Sequence, residues 1–134
     1  MEQKLQAVVV TDGPATAERI TEILTADGTV EVVGTFAGEK EAVVAIEHMR
    51  FDLVVTGLQL TQGTGFGVIR AARRSLGRHP VVAVFTRHAV PALRVAAAES
   101  GADLFLDKSK GAAQLAAVVI EAARRATPQP HQEA

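Results

Sequence analysis

Five times along the chain, a short apolar run with no polar alternation gives way to a stretch in which apolar residues return every three or four positions. Runs of that kind suit strands buried on both faces, and the wider spacing suits amphipathic helices laid over them. Strands that cannot be solvated on either side restrict the chain to a parallel sheet covered by helices front and back. The pattern therefore predicts a doubly wound (βα)5 fold with right-handed crossovers.

The first run, Leu5 to Val10, closes in Thr11-Asp12-Gly13-Pro14, and Pro14 suits the first turn of a helix. Ile20, Ile23 and Leu24 carry that helix, and Asp27-Gly28 supplies its stop. A second strand is predicted from Val30 to near Gly34, followed by a helix over Glu39 to Met49 with Ala42, Val43 and Ile46 on one face. Asp52 to Thr56 reads as the third strand, the Gly63, Gly65 and Gly67 region as a flexible loop, and Val68 to Leu76 as a helix ended by Gly77. Pro80 opens a fourth strand, Val81 to Thr86, and Pro91 a helix to about Ser100 capped by Gly101. Leu104 to Leu106 is a short fifth strand, and Ala113 to Ala126 a last helix with Leu115, Val118, Val119 and Ala122 on one face. Residues 1–126 are expected to form the domain, with 127–134, which holds two prolines, as a flexible tail.

The chain's 134 residues suffice for one core without staples, and 48% hydrophobic with 22% charged residues is the balance of a globular protein. A net charge of -1 provides no drive toward nucleic acid or an anionic membrane, so neither is expected as a partner. With no cysteine there is neither a disulfide framework nor a thiolate zinc site, as suits a reducing cytoplasm. No stretch approaches the ~18 apolar residues of a membrane span. His48, His79, His88 and His131 lack metal-ligand spacing and are read as packing or solvent-facing. Arg70, Arg73, Arg74 and Arg78 form a basic helix end, read as complementing the helix dipole rather than contacting nucleic acid.

In a doubly wound sheet, ligands sit beyond the carboxyl ends of the strands. The residues there are Asp12, Gly57, Thr86 and Lys108, after the first, third, fourth and fifth strands. By itself Asp12 also reads as a turn or N-cap residue, and Phe105 as a core aromatic.

From Leu5 to about Ala126 the chain resembles the response-regulator receiver domains of bacterial two-component systems. Asp52-Leu53-Val54-Val55-Thr56-Gly57-Leu58-Gln59-Leu60-Thr61-Gln62-Gly63-Thr64-Gly65 matches their pattern Asp-Leu-Val-x-x-Asp-x-x-Leu-Pro-x-x-x-Gly, and Asp103 to Lys108 ends in their lysine. The resemblance implies a flavodoxin-like sheet of order 2-1-3-4-5. It places the phosphorylated aspartate on Gly57, the acidic pair on Thr11-Asp12, the switch hydroxyl on Thr86, the switch aromatic on Phe105 and a metal-binding carbonyl on Gln59. Thr61 and Ser109 stand where the family has prolines, and the second of these follows a cis bond, so the turn after Lys108 is in question.

Receivers accept a phosphoryl group on a carboxylate, with Mg²⁺ neutralising the transferring oxygens. Glycine has no atom to accept it, so Gly57 implies a receiver degenerate at its phosphorylation site. Three aspartates and a lysine in the family's pocket sum to about -2, whereas Asp12 and Lys108 cancel, so Mg²⁺ binding is expected to be lost or very weak and no cofactor is expected. With the acceptor gone, Lys108 is expected to meet Asp12 directly or through a water. Thr11, Gly57, Thr61 and Ser109 depart together, which points to natural drift more than to an engineered substitution.

What such a domain retains is binding, with no enzymatic activity expected. The resemblance puts its signalling face on the fourth helix, fifth strand and fifth helix, where Ala96, Ala97, Ala98, Ala112, Ala113, Ala116 and Ala117 permit close helix approach by a protein partner or a second copy. A histidine kinase or an output protein is the implied partner class, and the chain reads as stand-alone or excised from a longer regulator. Two alternatives stay open. One is a small-ligand or nucleotide binder using the Gln62 to Gly67 loop. The other is phosphotransfer on a non-standard residue such as Thr56 or Asp12.

Overall fold

The computed structural model describes residues 4–74, 79–110 and 113–126. Its strands are β1 (Leu5–Val10), β2 (Val30–Phe36), β3 (Leu53–Thr56), β4 (Val81–Thr86) and β5 (Leu104–Asp107). The helices are α1 (Pro14–Thr25), α2 (Glu39–His48), α3 (Gly65–Arg73), α4 (Pro91–Ser100) and α5 (Ala113–Ala126), with a single 3-10 turn at Lys108–Lys110. The sheet has the order β2-β1-β3-β4-β5, and every pairing is parallel.

The unbroken valine runs are explained by the period-2 alternation of strand side chains across a sheet covered twice. Ala7, Val9, Leu53, Val55, Ala83 and Phe85 point to one face, where Ile20 and Leu24 of α1 and Leu115 and Val119 of α5 close the core. Val8, Val10, Val54, Val82 and Val84 point to the other, against Ile46 of α2, Val68 and Ile69 of α3 and Ala97 of α4. Each fully buried aliphatic side chain contributes about 1.5–3 kcal/mol by leaving water.

Several boundaries differ from the sequence reading. Strand β2 runs on to Phe36 because Phe36 still pairs with Val10, past a register shift at Ala7/Val8. Strand β3 starts at Leu53, one residue later than expected, and the Asp52 carboxylate accepts the Gln6 amide proton at 2.7 Å. The glycine-rich segment read as a flexible loop is half helix: Gly65 and Gly67 are buried residues of the first turn of α3. Helix α4 ends as expected on Gly101, whose φ of 119° is the left-handed conformation that glycine adopts freely. Leu76, Gly77, Arg78, Ala112 and the expected tail 127–134 with His131 lie outside the described residues.

Candidate functional site

Parallel register brings the carboxyl ends of four strands to one edge. Val10 lies beside Thr56, Thr56 beside Val84, and Thr86 beside Asp107, so the residues that follow each strand surround a common cleft of about 190 Å³. Thr11, Asp12, Gly57, Gln59, Thr86 and Lys108 all line it.

Gly57 sits at the floor, its amide donating to Val10 O at 2.9 Å and its carbonyl accepting the Thr56 hydroxyl at 2.9 Å. A Cβ added there would meet only Gln59 O, Phe85 O and Val10 O, each at 3.9 Å, which is ordinary contact. Its φ is not positive, unlike those of Gly28, Gly63 and Gly101. Neither sterics nor backbone conformation requires glycine at this position.

Thr11 and Thr86 are each 4% exposed. The Thr86 hydroxyl accepts the His88 amide proton at 3.1 Å, while the Thr11 side chain has no hydrogen-bond partner among the described residues. Asp12 is exposed at the rim, and its backbone carbonyl accepts the Thr61 hydroxyl at 3.3 Å. Thr61 thus ties the β3–α3 connection to the end of β1 where a proline had no donor to offer.

Lys108 makes no direct ion pair with Asp12. Among the described residues no carboxylate lies within 4.0 Å of it, and its Nζ sits 5.6 Å from the centre of the Phe85 ring. Burial holds its pKa below the usual lysine value, repulsion from Arg87 lowers it further, and Asp12 opposes both from a distance. The Lys108 Nζ lies over the Phe85 ring, while Asp12 stays at the solvent edge, so the two do not meet directly. Phe105 lies outside the cleft: it is half-buried beside Val84, with the Arg94 guanidinium 4.6 Å above its ring. The turn after Lys108 closes without proline, Ser109 donating its amide and hydroxyl to Asp107 Oδ1 at 2.9 and 2.6 Å.

Sequence reasoning missed Arg87, His88, Thr16 and Phe85, which also line the cleft. Arg87 and His88 directly follow β4, so reading two residues past each strand end finds them; Phe85 and Thr16 enter by packing alone. His48 and His79 are exposed, and among the described residues no group of three or more His, Asp or Glu converges to hold a metal. Arg73 donates to Pro80 O and, at 3.2 Å, to Asp103, and Arg74 faces Glu47 at 3.7 Å, so these two arginines of the basic helix end are engaged within the fold.

The glycine-rich segment does not present itself to a phosphate. Glu39 accepts the Thr64 amide proton at 2.8 Å, and its carboxylate fills the space beside Gly63 and Gly67, so the chain's own carboxylate already occupies the start of α3. On the face of α4, β5 and α5, Ala97 is buried in the core, whereas Ala98, Ala117, Val95 and Val118 are exposed. No described helix is long and apolar enough to cross a membrane.

The response regulator receiver domain family matches residues 7–120. The signal receiver domain of NarL from Mycobacterium tuberculosis superposes with a TM-score of 0.83 at 25% identity, covering 92% of this chain and 98% of that one. A two-component response regulator of the LuxR family from Aurantimonas sp. SI85-9A1 gives 0.83 at 24% identity, over 96% and 92%. A protein-glutamate methylesterase/protein-glutamine glutaminase of Nocardioides sp. (strain ATCC BAA-499 / JS614) is 28% identical over 78 residues, which are 58% of this chain and 21% of that protein. The match thus spans about a fifth of that relative.

Proposed function

This chain belongs to the response regulator receiver domain family, and we propose that it serves two-component signalling as a receiver without a phosphoacceptor, acting through protein contact rather than an acyl phosphate. The observation that carries the proposal is Gly57: it lies at the carboxyl end of β3 with room for a side chain, and nothing in the backbone requires glycine there. The position has space for an acceptor and no oxygen to accept with.

The donor set points the same way for Mg²⁺. Asp12 is the one carboxylate among the lining residues, set against Lys108 and Arg87, while a hard dication wants several anionic oxygens. We propose that the cleft holds no Mg²⁺ at millimolar metal. Thr56 is a poor substitute acceptor, being fully buried with its hydroxyl donated to Gly57 O. The proposed partner surface is the face of α4, β5 and α5, engaged by a kinase, an output protein or a second copy, with 1–126 as the domain, 127–134 as its tail and the cytoplasm as its setting.

The test is incubation with acetyl phosphate and Mg²⁺ followed by intact-mass measurement. The native chain should gain no phosphoryl mass, and Gly57→Asp should need Thr11→Asp as well before it does. Stoichiometric uptake by the native chain would overturn the proposal.

A further inference from the structure

The amine of Lys108 is placed to react rather than to pair. Among the described residues it makes neither an ion pair nor a hydrogen bond, and its Nζ lies 5.6 Å from the centre of the Phe85 ring. The charged and titratable groups that line the cleft with it are Asp12 from the end of β1, and Arg87 and His88 from the end of β4. Burial and repulsion from Arg87 favour its neutral, nucleophilic form, against a weaker opposing pull from Asp12. Arg87 likewise has no carboxylate partner among the described residues. Two cations that repel each other thus share a cleft with one exposed carboxylate.

A negative charge carried by Lys108 itself removes that conflict, and carbon dioxide supplies one. Attack of the Nζ lone pair on its carbon forms an N–C bond, moves one C=O electron pair onto oxygen and releases a proton from nitrogen to water. An anionic carbamate then stands where an ammonium stood, and repulsion from Arg87 becomes attraction. Hydroxyl donors are already in place. Thr11, 4% exposed, lines the cleft without a hydrogen-bond partner among the described residues. Thr86, equally buried, accepts the His88 amide proton and keeps its own proton to donate. One carbon and two oxygens, each at about the 30 Å³ of a water molecule, fit a cleft of about 190 Å³ whose floor at Gly57 carries no side chain.

We propose that Lys108 is a site of reversible carbamylation by carbon dioxide, its carbamate held by Arg87 and by the Thr11 and Thr86 hydroxyls. The reaction leaves two carboxylates, the carbamate and Asp12, against Arg87, so the net charge of the lining changes sign. The strand ends thereby respond to carbon dioxide without phosphoryl transfer. The inference rests on the reading of Gly57 as a position without an acceptor, and the two fail separately. Phosphoryl mass on the native chain counts against that reading, and an unmodified Lys108 with no phosphoryl mass counts against this one alone.

The experiment incubates the full chain with carbon-13 bicarbonate in mildly alkaline buffer and reads carbamate by carbon NMR. Alkylation with triethyloxonium ion then fixes the carbamate for peptide mapping by mass spectrometry. Lys108 should carry more label than the exposed Lys40 and Lys110, lose it when carbon dioxide is purged, and carry none as Lys108→Arg. Thr11→Val, close to isosteric, should weaken labelling about tenfold, as for loss of a buried hydrogen bond to a charged group. Arg87→Gln, at an exposed position, should weaken it about threefold, as for an ion pair at the solvent edge. Amide spectra of the sheet check that each variant is folded. An unlabelled Lys108, labelling no greater than at Lys40 and Lys110, or labelling unchanged in both Thr11→Val and Arg87→Gln would each overturn the proposal.

Discussion

The backbone carbonyl oxygen of Gly57 occupies the space in which a side chain at Gly65 would begin. Helix α3 therefore starts directly against the end of β3, and the added Cβ would also come within 3.1 Å of the Thr56 hydroxyl. Of these two glycines, only Gly65 is required by packing. Gly65→Ala should lower stability by about 1–3 kcal/mol through overpacking, whereas Gly57→Ala should raise it by about 0.4–1 kcal/mol through the unfolded chain. Urea denaturation of the two variants checks both signs, and the reverse order would contradict this packing.

Asp103 extends the sheet with its side chain, accepting the Val82 amide at 2.8 Å while holding Arg73 at 3.2 Å. Asp103→Ala leaves the amide of buried Val82 without its acceptor, a loss of about 1–3 kcal/mol. Faster hydrogen exchange at Val82, with β1 and β3 unchanged, is the expected signature.

Lys108 has its pKa lowered by burial first and by Arg87 second. A lysine so placed opposes folding while charged in both states, and the penalty fades as pH rises through its folded pKa toward the unfolded value of 10.5. Lys108→Met should therefore stabilise the chain near neutral pH and lose that advantage above the lysine range. Arg87→Gln should move the Lys108 titration upward, which NMR of the side chain reads directly.

Ser109 lowers the Asp107 pKa, its hydroxyl first and its amide second. The stability this gives is present above the ordinary carboxylate value of 3.8 and is lost as pH falls through the lowered one. Ser109→Ala removes the hydroxyl bond and should bring the Asp107 titration up toward 3.8. Carboxyl-carbon NMR measures it, and an unchanged curve would assign the effect to the amide alone.

The order of elements was legible because burial on two faces writes itself into composition: Val8, Val9 and Val10 alternate between two separate cores, and only a doubly covered sheet needs all three apolar. Boundaries were less legible where pairing rather than composition decided them, as at Phe36, or where glycine was mistaken for looseness. Gly65 opens a helix and is glycine because the Gly57 carbonyl leaves no room for a Cβ, while Gly67 lies against the Glu39 side chain, contacts between elements that composition does not show.

The same division runs through the candidate site. Residue identity at the strand ends was determined by sequence alone: the placing of Asp12, Gly57, Thr86 and Lys108 after four of the strands follows from one-dimensional spacing and a parallel sheet. Which charges meet was decided only by tertiary structure. Lys108 lies over Phe85 instead of against Asp12, Arg87 and His88 join the cleft from the end of β4, and Phe105 lies outside it under Arg94. The succession of strands and helices is dictated by burial, which sums over whole segments and is visible as periodicity. Electrostatic partnership depends on a few ångströms of side-chain placement, and no pattern along the chain encodes that.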